Sequence, residues 1–184
     1  MLKKLLIAMT LVTSASTWAD TKLSMQTSLG EIEIELFDDQ APITTSNFKQ
    51  YVKEGFYTGT IFHRVIPDFM VQGGGLNTNL QEKSNTRATI KNEASNGLKN
   101  EYGTIAMART TDPHSARSQF FINVNDNPSL NATEDSAGYA VFGRVSKGMD
   151  IVEKMLDIPT TRVGQYGDVP TQTILIESVK FENK

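Results

Sequence analysis

The stretch Phe62-His63-Arg64-Val65-Ile66-Pro67-Asp68-Phe69-Met70-Val71-Gln72 gathers a cation, an aromatic ring and an amide into one short segment. Apolar runs on either side of Pro67-Asp68 read as two strands joined by a turn. With Arg64 on one strand and Phe69 to Gln72 on its neighbour, a guanidinium and a carboxamide converge beside an apolar surface. Such a guanidinium stays charged at any relevant pH and presents several donors in a fixed fork. The residues alone leave two readings open. One is an arginine in a salt bridge beside a core phenylalanine; the other is a pocket with apolar walls and a few placed polar groups.

Other chemistries are narrowed by composition. There are no cysteines, which excludes disulfides, thiolate catalysis, cysteine zinc sites and a lipid-modified N-terminal cysteine. Only two histidines occur, His63 and His114. His63 adjoins Arg64, and strand alternation would send it to the opposite face as a hydrogen-bonded structural residue. His114 shares a loop with Asp112, and two distant histidines without a spaced third ligand make no metal site. A formal net charge of −3, spread along the chain, offers no polybasic surface for nucleic acid or anionic lipid.

These side chains need a scaffold, and its periodicity is strand-like. Leu23 and Met25 alternate with polar neighbours; beyond a Ser28-Leu29-Gly30 turn, Ile32, Ile34 and Leu36 alternate with Glu31, Glu33 and Glu35. That is a hairpin with one face on a core. A helix is predicted from about Pro42 to Gly55, with Phe48, Tyr51 and Val52 on one side. Short strands are predicted over residues 60–65, 69–72, 104–108, 120–124 and 140–145. A second helix over 148–156 and a last strand over 173–181 follow. Residues 74–102 and 109–118 read as long loops, a length that often carries function. The Met residues other than Met70 read as core filler. With 184 residues, of which 39 % are hydrophobic, a single packed domain is expected. The pattern suggests a closed antiparallel barrel capped by helices, a mainly β architecture.

The first nineteen residues stand apart. Lys3 and Lys4 precede an apolar stretch, Leu5 to Val12, and a small-residue run broken by Trp18 that ends at Ala19. This is the three-part layout of a Sec-type signal peptide, with cleavage expected after Ala19. The apolar run is too short to span a bilayer, which takes ~20 residues. The division is therefore residues 1–19 as signal peptide and 20–184 as the folded domain. The mature chain is expected in the periplasm, with secretion as the variant, and without membrane insertion once the signal is removed.

The run FHRVIPDFMVQGGG resembles the signature of the cyclophilin family of peptidyl-prolyl cis/trans isomerases. Three further blocks support it in order: GTIAMAR from Gly103, SQFFIN from Ser118, and VFGRV from Val141. The resemblance spans Thr21 to Phe181 and implies a closed eight-stranded antiparallel β-barrel with two α-helices and a surface groove for a proline-containing segment. It implies Arg64 as the catalytic residue. For substrate binding it implies Gln72, with Phe69, Met70, Phe121 and Leu130 as the proline pocket and Ala108 as a backbone contact. Tyr139 falls where many eukaryotic members have histidine. Isomerisation through a twisted amide needs no metal or cofactor. Where cyclosporin-binding members carry tryptophan this chain has Ser129, so weak cyclosporin binding is expected. The expected partners are proline-containing polypeptides, no nucleic acid, and no second copy of the chain. A proline-segment binding module or holdase with incidental isomerase activity is the rival function.

Overall fold

The computed structural model describes residues 20–182, so the segment read as a signal peptide lies outside it. Among the described residues ten strands are present: β1 (Thr21–Thr27), β2 (Gly30–Leu36), β3 (Thr60–Ile66), β4 (Met70–Gly73), β5 (Thr104–Met107), β6 (Phe120–Asn123), β7 (Val141–Lys147), β8 (Thr160–Val163), β9 (Tyr166–Pro170) and β10 (Ile174–Phe181). Two helices, α1 (Pro42–Lys53) and α2 (Met149–Leu156), accompany them. Eight strands close a barrel in the order β1-β10-β3-β4-β6-β5-β7-β2, every pairing antiparallel. This is the mainly β, closed eight-stranded barrel with two helices that the sequence implied.

The period-two pattern of the first hairpin explains its place in the wall. Leu23, Met25, Ile32, Ile34 and Leu36 are fully buried. The glutamates between them face outward and meet cations across the neighbouring strand, Glu33 with Lys147 at 2.8 Å and Glu35 with Arg144 at 2.7 Å. Phe48, Tyr51 and Val52 of α1 join the same core. Helix α2 begins one residue later than predicted because Gly148 is its N-cap, at φ +88. A side chain there would be strained, and its Cβ would come within 2.5 Å of the Glu31 carbonyl oxygen.

Predicted strand ends are otherwise shifted by a residue or two. Two elements were not foreseen: the β8–β9 hairpin and a single 3-10 turn at Pro128–Leu130. The loop over 74–102 contains only an isolated bridge between Leu76 and Glu82. Its polar residues tie it to the barrel. Glu93 accepts hydrogen bonds from the Ile43 and Thr44 amides, at 3.1 and 2.8 Å, and from the Thr44 hydroxyl at 2.6 Å. A loop carboxylate thus satisfies the first free amides of α1, whose own N-cap residue, Ala41, contributes no side-chain bond. Among the described residues no helix is long and apolar enough to cross a membrane.

Candidate active site

A second apolar cluster, separate from the barrel core, consists of buried Met70, Ala106, Phe121 and Val141 with Phe69, Ala108, Leu130 and Tyr139 packed on it. Strand register assembles it. Arg64 on β3 lies opposite Gln72 on β4, which lies opposite Phe121 on β6, which lies opposite Ala106 on β5. Successive strands therefore present one continuous patch of wall.

Strand β3 departs from simple alternation at this point. Its pairing with β4 shifts between Phe62 and Arg64, and the core residues Phe62 and Val65 are three apart. A bulge re-aims the side chains beside it, so His63 and Arg64 both lie outside the core. The alternation argument for His63 is thereby corrected. It does not line the cleft, and the Tyr166 ring of the β8–β9 hairpin sits 6.3 Å from it at an interplanar angle of 72°. His63 is buried, as expected of a structural histidine, and its Nδ1 has no hydrogen-bond partner among the described residues. Burial, then the Arg64 charge, lower its pKa to about 4, against a weaker hydrogen bond with the Ile61 backbone.

Above the cluster lies a cavity of about 120 Å³ lined by Arg64, Phe69, Met70, Gln72, Ala108, Phe121, Leu130 and Tyr139, together with Arg109. All eight residues singled out in the sequence thus meet at one place. Met70 and Phe121 are buried and form its floor. The Phe121 and Tyr139 rings meet edge to face at 5.7 Å. Arg109 was not singled out, although the Gly103 block ends on it. Its guanidinium stacks 4.4 Å from the centre of the Tyr139 ring, and donates to the carbonyls of Gly138 at 2.9 Å and Thr110 at 2.8 Å. Arg109 thus ties its own loop to the Gly138–Tyr139 segment. Arg64 is half exposed, and its one ion pair among the described residues is a 3.4 Å contact from Nε to Asp168. Of the two guanidiniums, Arg64 has fewer donors engaged, one against two.

The other walls are held from behind. Gln72 donates to the Gln119 side chain at 3.0 Å, and a Cβ at Gly75 would come within 2.3 Å of Gln119 Cγ. Glycine is therefore required at position 75 for Gln119 to reach Gln72. Three buried amides, Asn100, Asn123 and Asn127, form a hydrogen-bonded chain: Asn127 donates to Asn123 at 2.7 Å, and Asn123 to Asn100 at 3.2 Å. Its outer donors end on pocket residues. Asn127 bonds the Phe69 carbonyl at 2.8 Å; Asn100 bonds those of Leu130 at 3.1 Å and Tyr139 at 3.3 Å. Ser129 is exposed and contributes nothing to the cavity wall. His114 accepts a hydrogen bond from the Asn92 amide at 3.1 Å, a structural use. Among the described residues no group of three or more His, Asp or Glu side chains is arranged to hold a metal.

A notch of this size admits one compact ring, with the half-exposed Arg64 guanidinium beside it. The sequence matches the family model for "Cyclophilin type peptidyl-prolyl cis-trans isomerase/CLD" over residues 22–181. It is 56 % identical over 184 residues to a peptidyl-prolyl cis-trans isomerase of Acinetobacter baylyi, covering 100 % of this chain and 97 % of the relative. It is 52 % identical over 160 residues to peptidyl-prolyl cis-trans isomerase B of Escherichia coli, covering 85 % of this chain and 97 % of the relative. The fold matches the crystal structure of a Cryptosporidium parvum cyclophilin type isomerase with a TM-score of 0.73 at 25 % identity, over 90 % of this chain and 99 % of that one. A second structure of that protein, in the presence of the dipeptide Ala-Pro, has the same TM-score, 0.73. The chain belongs to the cyclophilin-type peptidyl-prolyl cis-trans isomerases.

Proposed function

We propose that Arg64 is the catalytic residue of this isomerase and that the 120 Å³ cavity takes the proline ring. Rotation about an Xaa-Pro bond passes through a twisted imide, against a barrier of ~18–20 kcal/mol. Twisting localises a lone pair on the prolyl nitrogen, so a donor aimed there is stronger in the transition state than in the planar ground state. Phe69, Met70, Phe121 and Leu130 hold the ring while the preceding acyl group turns; Gln72 and the Ala108 backbone fix the flanking chain. The reaction breaks no bond permanently. An acceleration of ~10⁵-fold corresponds to about 7 kcal/mol, within reach of one positioned cation plus orientation. The half-exposed guanidinium beside a cavity walled by Phe69, Met70, Phe121 and Leu130 carries this reading.

A protease-coupled assay on an Xaa-Pro peptide, wild type beside Arg64→Ala, is the test. The variant is expected to bind peptide with similar affinity and to turn it over far more slowly. Wild type at background rate with normal binding would instead identify a binding module or holdase.

Two further proposals attach to this site and chain. Cyclosporin is expected to bind only weakly, because Ser129 leaves the cavity without the apolar wall and indole donor of a tryptophan. Inhibitor titration of the isomerase assay checks this, and a nanomolar constant would contradict it. Export to the periplasm, where a monomer would assist the folding of exported polypeptides, is supported by the leader pattern of residues 1–19. Cell fractionation distinguishes retained, periplasmic and released protein.

A further inference from the structure

The β8–β9 hairpin stands apart from the barrel as its own two-stranded sheet. Every residue of β8 is exposed, so the hairpin does little to build the core. It meets the barrel through β9. Val169 and Pro170 are buried, and the Tyr166 ring covers His63. Between these anchors stands Asp168, whose Oδ2 lies 3.4 Å from Arg64 Nε. Its backbone is left-handed, at φ +57. That region is uncommon outside glycine, and such conformations persist where the surroundings over-determine them.

We propose that Asp168 is a positioning residue for Arg64, and that the β8–β9 hairpin is the arm that carries it. The proposal rests on Arg64 being the catalytic cation. A long side chain half in water samples many rotamers, and a donor acts only when its fork points at the prolyl nitrogen. A carboxylate at Nε restrains the side chain near its outer end and leaves both terminal nitrogens free to donate. The same carboxylate also offsets part of the guanidinium's charge. At an exposed site the effective dielectric is high and this loss is small, so orientation is the larger effect.

The experiment uses Asp168→Asn and Asp168→Gly, because asparagine and glycine both accept a left-handed backbone. At low ionic strength kcat is expected to fall about threefold, the scale of an exposed ion pair, with KM within error of wild type. Wild type should lose the same factor as salt screens the pair, while the variants show no such salt dependence. In an Arg64→Ala background Asp168→Asn should change nothing further. An unchanged or raised kcat would overturn the proposal. So would an equal fractional loss in the Arg64→Ala background, which would mark a purely structural role. Should Arg64→Ala itself retain full activity, the assignment of Arg64 fails instead.

Discussion

Removing one donor aimed at charge that develops in a transition state typically costs 10²–10³-fold in kcat. Arg64→Ala is expected in that range, with peptide affinity close to wild type because Met70 and Phe121 remain as floor. Arg64→Lys should recover little, since a point charge cannot reproduce the fixed fork. At this scale much was legible. All eight candidate residues line the cavity, because types such as Arg, Phe, Met and Gln keep their place within a recognisable block. Arg109 and Asp168 were not foreseen. Arg109 lines the cavity only because a stacked tyrosine and two carbonyls fold it back. Asp168 meets Arg64 across 104 positions of sequence. His63 was judged by an alternation that a bulge cancels, and nothing in the letters FHRV announces a bulge.

The elements built on strong periodicity were the readable ones. The first hairpin has two faces of opposite character, and α1 has its Phe48-Tyr51-Val52 stripe. The β8–β9 hairpin was missed for the converse reason: β8 is exposed throughout, so no alternation marks it. The long loop over 74–102 was legible only as a loop. Its structural use depends on contacts such as Glu93 at the start of α1, far away in sequence. Neutralising that contact gives an element-scale prediction. Glu93→Gln removes a charge from the positive end of the helix and weakens a cap, at a cost of ~1 kcal/mol. Urea unfolding should show a lowered midpoint with an unchanged slope, and activity at 25 °C should persist because α1 lies away from the cavity. An unaltered midpoint would show that water replaces the carboxylate without loss.

For the whole molecule, stability is set by a core without disulfides and by a few buried titrating groups. His63 has a folded pKa of about 4, below the ordinary imidazole value of 6.5. The unfolded chain therefore takes up the proton more readily, and stability present above pH 6.5 is lost as pH falls toward 4, by about 3 kcal/mol at most. Asp38 adds to this at lower pH. Burial acts to raise its pKa, but hydrogen bonds from Lys49, Thr21 and Thr45 outweigh burial and hold it below 3.8. Its contribution is lost as pH falls through that lowered value. Denaturant midpoints measured from pH 7 to 4 should decline in wild type and stay flatter in His63→Leu; parallel curves would show that His63 titrates normally. The topology has another consequence. Strand β10, the last eight residues of regular structure, lies between β1 and β3. A nascent chain that has not yet yielded residues 174–181 leaves both neighbouring edges bare, and closure across such separations is slow. Cylinder formation therefore waits for residues 174–181, and a chain that has not yet released them stays open, threadable and dependent on whatever shields its edges.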